Sequence, residues 1–154
     1  MAEPVLLRSD ADGVATLTMN RPAARNALTI GLMEALEAAI AAIAGDPSIK
    51  VVVLAGAGPA FCAGHDLREM RAEPTRAAYD RVFAICSRLM RSIVALPKPV
   101  IAQVHGVATA AGCQLVATAD LAVAAESARF ATPGVNIGLF CSTPMVALSR
   151  AVGR

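Results

Sequence analysis

Two short stretches of this chain have the residue types to hold a carbonyl oxygen through the main chain: Phe61-Cys62-Ala63-Gly64-His65-Asp66 and the segment 106–114. Each is rich in Gly and Ala and lies where a strand-forming run gives way to a helix-forming one. Small side chains let backbone N–H groups approach a ligand, and the N–H groups that open a helix have no partner inside it. Two such groups converging on one carbonyl oxygen make an oxyanion hole, where loss of a donor costs on the order of 3 kcal/mol. Packing alone also places Gly and Ala beside strand ends, so these residues by themselves leave both readings open.

Few other groups could take part in chemistry. His65 and His105 are the only histidines. The His65 ring can face a ligand at the first loop or turn away from it, whereas His105 is expected to cap or pack at a strand end. Glu69 is the nearest substitute carboxylate after that loop, with a surface role as the alternative. Asp120 reads as a structural cap and Glu126 as a surface residue. Cys62, Cys86, Cys113 and Cys141 are widely spaced, without a CxxC pair. That predicts no metal site and no disulfide framework, but buried, reduced thiols in a cytoplasmic protein.

The elements that would position these groups follow from hydrophobic pattern. Val5 to Arg8 and Val14 to Met19 flank an Asp12-Gly13 step and predict a hairpin. Asn20-Arg21-Pro22 ends its second strand. Thr29 is placed to cap a helix whose Leu32, Leu36, Ile40 and Ile43 share one face. Val51 to Ala55 is a wholly apolar run of the kind covered on both sheet faces. Arg68 to Arg76 reads as a charged, mobile stretch. A second helix is expected from Ala77 to Leu96, stopped by Pro97 and Pro99. Val100 to Val104, Leu121 to Ala124 and a segment around Phe130 are expected strands, and a helix runs from the second Gly/Ala junction to Ala119. Alternation of this kind predicts an α/β fold of crossover units around a central sheet.

Composition sets the outer limits. The chain has 154 residues, 56% of them hydrophobic and 17% charged, enough apolar surface for one ordered domain. Aromatic content is 3%, with no Trp, so Ala, Val, Leu, Ile and Met must fill the core. The mean hydropathy is +0.56, yet no stretch approaches the roughly 18 uninterrupted apolar residues of a membrane span. Scattered Lys and Arg without a basic tract, and few aromatics for base stacking, argue against nucleic-acid binding. The first residues, MAEPVLLRSDADG, lack the pattern of a signal peptide or an Arg-rich leader.

Taken in order, the segments Asn20-Arg21-Pro22, Arg25-Asn26-Ala27-Leu28, Phe61 to Leu67, Pro99 to Ala102 with His105-Gly106, Ala111 to Leu115 with Asp120, Phe130 to Pro133 and Gly138-Leu139 resemble the enoyl-CoA hydratase/isomerase (crotonase) family. The resemblance runs from Val5 to Arg154, and in detail Ala110 to Thr143 is most similar to the branch described as enoyl-CoA hydratase domain-containing protein 3. It implies a crotonase-like ββα superhelix over residues 1–154, with the C-terminal helical part absent from this chain. It also implies an acyl-CoA thioester as partner, coenzyme A as part of the substrate with no separate cofactor, a place in fatty acid metabolism, and a trimer or hexamer when full length.

Carried over position by position, the resemblance puts the two oxyanion N–H donors on His65 and Ala111. It puts the coenzyme A path at Arg25, Ala27, Ala63, Asp66 and Leu67, with Arg25 as a phosphate contact or else a solvated surface charge. One departure stands out. Hydratases of this family use two glutamates to handle water, and here those positions read Gln114 and Gly134. An amide cannot accept a proton as a carboxylate does, and glycine has no side chain, so efficient hydration is not expected. Two functions follow as expectations: an acyl-CoA enzyme that stabilises a thioester enolate, or a catalytically inactive acyl-CoA-binding or regulatory protein.

Overall fold

The computed structural model describes residues 3–153. It opens with the hairpin β1 (Leu6–Ala11) and β2 (Val14–Met19), antiparallel and paired as far as Ala11 with Val14. Asp12 and Gly13 both take left-handed backbone, φ 51° and 80°, which is the tight turn an Asp-Gly step favours. Helix α1 (Ile30–Ala44) begins where the Thr29 hydroxyl accepts the Leu32 N–H at 3.2 Å. Its buried face carries Leu32, Met33, Leu36, Ile40 and Ile43.

The rest of the chain is built in repeats. Strand β3 (Val51–Gly56) is followed by β4 (Ala60–Cys62), then α2 (Leu67–Ala72) and α3 (Arg76–Ala95). Strand β5 (Val100–Val104) leads to β6 (Val107–Thr109) and α4 (Ala111–Thr118). Strand β7 (Leu121–Ala124) leads to β8 (Arg129–Ala131), a 3₁₀ turn over Pro133–Ile137, and α5 (Ser142–Ala151). The first strand of each repeat joins a five-stranded sheet ordered β1-β2-β3-β5-β7. The second joins a three-stranded sheet ordered β4-β6-β8. All pairings after the hairpin are parallel. The chain thus winds as a ββα superhelix, as expected.

Three local expectations change. The apolar run at Val51 buries Val52 and Leu54 but leaves Val51 and Val53 half-buried, because the core of α1, α3 and α4 side chains gathers on one face of the sheet. The charged stretch after Asp66 opens with a helix, α2, where the Asp66 carboxylate accepts the N–H groups of Arg68 and Glu69 at 3.0 and 3.3 Å. The two Gly/Ala junctions are also more than loops, since the first begins inside β4 and the second contains β6, both strands of the smaller sheet.

Candidate active site

The two junctions meet. Gly64 has φ +93° and stands so close to the start of α4 that a Cβ built on it would lie 2.9 Å from the Ala110 Cβ and 3.3 Å from the Ala111 nitrogen. Behind them, a Cβ on Gly112 would lie 2.2 Å from the Cys62 carbonyl oxygen, so only glycine lets α4 sit this close to β4. The Thr109 hydroxyl donates to the Ala63 carbonyl at 3.1 Å, a further tie between the junctions.

The backbone on either side of His65 is tied to Leu28. Gly64 C=O accepts the Leu28 N–H at 2.8 Å, and the Asp66 N–H donates to Leu28 C=O at 2.9 Å. On α4, Gln114 N–H reaches the Ala110 carbonyl at 3.0 Å, which leaves the preceding amides outside the helical ladder. Among the described residues, neither the peptide N–H of His65 nor that of Ala111 donates a hydrogen bond to the protein. Both donors assigned by resemblance therefore remain available, on two segments in van der Waals contact.

The flank formed by residues 20–30 is held by Asn26 and Arg21. Asn26 is fully buried with φ 53°; its Oδ1 accepts the Arg21 N–H at 2.9 Å, and its Nδ2 donates to the carbonyls of Ala57 and Ala60 at 2.9 and 2.8 Å. Asparagine suits this place because it tolerates left-handed backbone and carries a donor and an acceptor together. Arg21 forms an ion pair with Asp66 at 2.9 Å and also donates to the Ala27 carbonyl. Burial by itself would raise the Asp66 carboxyl, but the Arg21 hydrogen bond, the Glu69 and Arg68 peptide N–H groups and the Arg21 charge together hold it below the usual carboxylate range.

Of the residues expected along a coenzyme A path, Arg25, Ala27, Ala63, Asp66 and Leu67 come together on this flank. Ala63 N–H donates to the Arg25 carbonyl at 3.0 Å. Arg25 has φ 51°, is exposed, and makes no ion pair among the described residues. Leu67 is also exposed. The Asp66 side chain is committed to Arg21 and to capping α2. Glu69 is no spare carboxylate either, because it accepts the first N–H of α1, from Ile30, at 2.9 Å.

The His65 ring turns inward and stacks edge-to-face on Phe83, with centroids 5.4 Å apart. Its Nε2 is buried without a hydrogen-bond partner, and burial lowers its pKa, favouring neutral imidazole. Gln114 is buried too, and its Oε1 also lacks a partner. Gln114 and Phe83 line one groove of about 620 Å³ between α3, α4 and α5, whose walls include Met90, Val94, Ala117 and Val146. Gly134 lies three residues beyond Ala131, whose carbonyl accepts the Ala110 N–H at 2.9 Å. A Cβ at position 134 would meet the Cys141 Sγ at 2.6 Å and the Leu139 carbonyl oxygen at 2.8 Å.

The remaining candidates have structural roles. His105 Nε2 pairs with the Gly58 carbonyl at 2.7 Å, and Asp120 accepts the Val100 N–H at 2.8 Å. Glu126 is exposed. Burial pushes the Cys62 thiol up to about 12 despite a hydrogen bond from Gly64, and the Cys86 thiol up to about 11. Among the described residues all cysteines are unpaired, no group of His, Cys, Asp and Glu could hold a metal ion, and no helix is long and apolar enough to cross a membrane.

The family model described as enoyl-CoA hydratase/isomerase matches residues 9–154. The zebrafish (Danio rerio) protein named enoyl-CoA hydratase domain-containing protein 3, mitochondrial, is 51% identical over 92% of this chain and 49% of its own length. A crystal structure described as an enoyl-CoA hydratase of Mycobacterium smegmatis superposes with a TM-score of 0.95 at 61% identity, over 99% of this chain and 60% of that one. The human enoyl Coenzyme A hydratase domain-containing protein 3 structure gives a TM-score of 0.92 at 46% identity, over 97% and 59%. The chain spans about half the length of the curated relatives it matches. With its ββα winding and its two junctions in contact, the chain is similar to the domain-containing protein 3 branch and belongs to the enoyl-CoA hydratase/isomerase family.

Proposed function

We propose that this protein binds an acyl-CoA thioester and stabilises the thioester enolate through the peptide N–H groups of His65 and Ala111, without the two carboxylates that hydratases use. The observation that carries this reading is the pair of undonated N–H groups on segments packed against each other at Gly64 and Ala110. The carbonyl oxygen of the thioester accepts both, and charge drawn onto that oxygen is met by preset dipoles. Arg25, exposed and unpaired, serves the coenzyme A phosphates, while Ala27, Ala63 and Leu67 border the path. Asp66 acts by fixing its shape. The acyl chain takes the groove beside Phe83 and Gln114, and coenzyme A enters as part of the substrate.

Gln114 and Gly134 set the limit of the chemistry. Gln114 offers a neutral amide where a proton acceptor is needed, and position 134 has no room for a side chain. These features also favour the second reading, an acyl-CoA-binding or regulatory protein without turnover. A trimer or hexamer of the full-length protein is part of the same proposal, which sedimentation velocity would test. The exposed apolar side chains of β7, β8 and the segment before α5 (Leu121, Val123, Phe130, Ile137, Phe140) offer surface that association would cover. Cytoplasmic residence is part of the same proposal, to be tested by cell fractionation.

Calorimetric titration with crotonyl-CoA, paired with a hydration assay of the native chain and Gln114→Glu, tests the reading. Thioester binding is expected, with hydration by the native chain at least about 100-fold below that of the carboxylate variant. Brisk hydration by the native chain would overturn the claim about the missing glutamates. Absence of binding to any CoA thioester would overturn the whole proposal.

A further inference from the structure

Ala110 has φ 50° and ψ −122°, a backbone region that L side chains rarely adopt and that glycine enters freely. Its peptide groups are pinned at both ends, N–H to the Ala131 carbonyl at 2.9 Å and C=O to the Gln114 N–H at 3.0 Å. The surroundings thus hold an alanine where its own methyl group is unfavourable, the pattern of strain kept in place by over-determined contacts. That methyl has a specific seat. It lies against Gly64, whose own Cβ, were it present, would be 2.9 Å away. The next residue on each side of this contact, His65 and Ala111, carries one of the two free N–H groups.

We infer that Ala110 is a positioning residue: its methyl, seated on Gly64, fixes the separation and aim of the two oxyanion donors. The inference rests on the thioester reading above. It adds a residue that touches no reacting atom and acts through its neighbours. The methyl behaves as a spacer between two strand ends that would otherwise approach or slide, and the backbone strain at Ala110 is the cost of having a spacer there.

The test is isotope-edited infrared spectroscopy of butyryl-CoA labelled with ¹³C at the thioester carbonyl, bound to the native chain, to Ala110→Gly and to Ala110→Ser. The native chain is expected to move the carbonyl band to lower frequency as one narrow band. Ala110→Gly removes spacer and strain together, so it should melt no lower than the native chain while losing most of the displacement and broadening the band. Ala110→Ser keeps the Cβ and should keep the displacement. A full displacement in folded Ala110→Gly, or its loss in folded Ala110→Ser, overturns the positioning role and leaves the thioester reading standing. No displacement in the native chain overturns both.

Discussion

Arg21 and Asp66 lie 45 positions apart and are joined by a 2.9 Å ion pair that fastens the segment before α1 to the start of α2. Asp66 meanwhile caps α2, and Arg21 also holds the Ala27 carbonyl, so one pair sets the shape of the flank beside His65. Replacing Asp66 by Ala removes a cap and strands a largely buried guanidinium, which should cost about 2–3 kcal/mol in urea denaturation. Since the Asp66 carboxyl is depressed in the folded state, its contribution is complete above the ordinary carboxylate value. It is lost as pH falls below that value, and Asp66→Asn should flatten this part of the stability curve.

His65 should give the protein a second acid sensitivity, at higher pH. Burial lowers its pKa, so the unfolded chain takes up the proton first and stability drops as pH falls below the ordinary histidine range. Melting temperatures at pH 7.5 and 5.5 should differ less in His65→Gln than in the native chain. An unchanged difference would mean that another group sets that slope.

Asn26→Ala should be among the most destabilising single changes, at about 3 kcal/mol or more. It leaves the Ala57 and Ala60 carbonyls and the Arg21 N–H without partners, and it puts an alanine at φ 53°. Equilibrium denaturation checks this, and a loss below about 1 kcal/mol would show that water replaces the amide at little cost.

Two glycines should respond in opposite ways to alanine. Gly31, in the first turn of α1, has open space around its would-be Cβ, so Gly31→Ala should stabilise by about 0.5 kcal/mol. Gly112→Ala drives a methyl into the Cys62 carbonyl and should destabilise by about 3 kcal/mol or abolish folding. Parallel melts of the two variants decide the matter.

Thiol chemistry offers a check that needs no substrate. With their thiols pushed up to about 12 and about 11 in the core, Cys62 and Cys86 should resist a disulfide reagent at pH 8 until the protein unfolds. Mass spectrometry of the labelled peptides would show this, and rapid native labelling of either would mean that the core opens locally.

The sequence made the long elements legible because their signals are local. Thr29 as a cap, the four-residue spacing of Leu32, Leu36 and Ile40, and the Asp12-Gly13 turn each act within a few residues. What it concealed depends on residues far apart in the chain. Strands β4 and β6 are three residues each and too short to show a period, and α2 depends on a cap, Asp66, that Arg21 steadies from 45 positions away. The roles of Asn26 and Ala110 were hidden for the same reason, since an asparagine or an alanine becomes informative only once its φ and its distant partners are known. The two proposed donor positions rest on family resemblance, because a backbone N–H leaves no mark in the side-chain code.

The superhelical winding has a consequence for what this architecture can vary. His65 follows β4 and Ala111 follows β6, neighbouring parallel strands from successive turns of the coil. Their coarse spacing is then inherited from the winding, about 4.8 Å between strands, and the Ala110 methyl trims only the final separation and aim. A side chain such as that of Gln114 can be exchanged without disturbing that pitch. The coil behaves as a fixed gauge block, against which successive sequences set different tools.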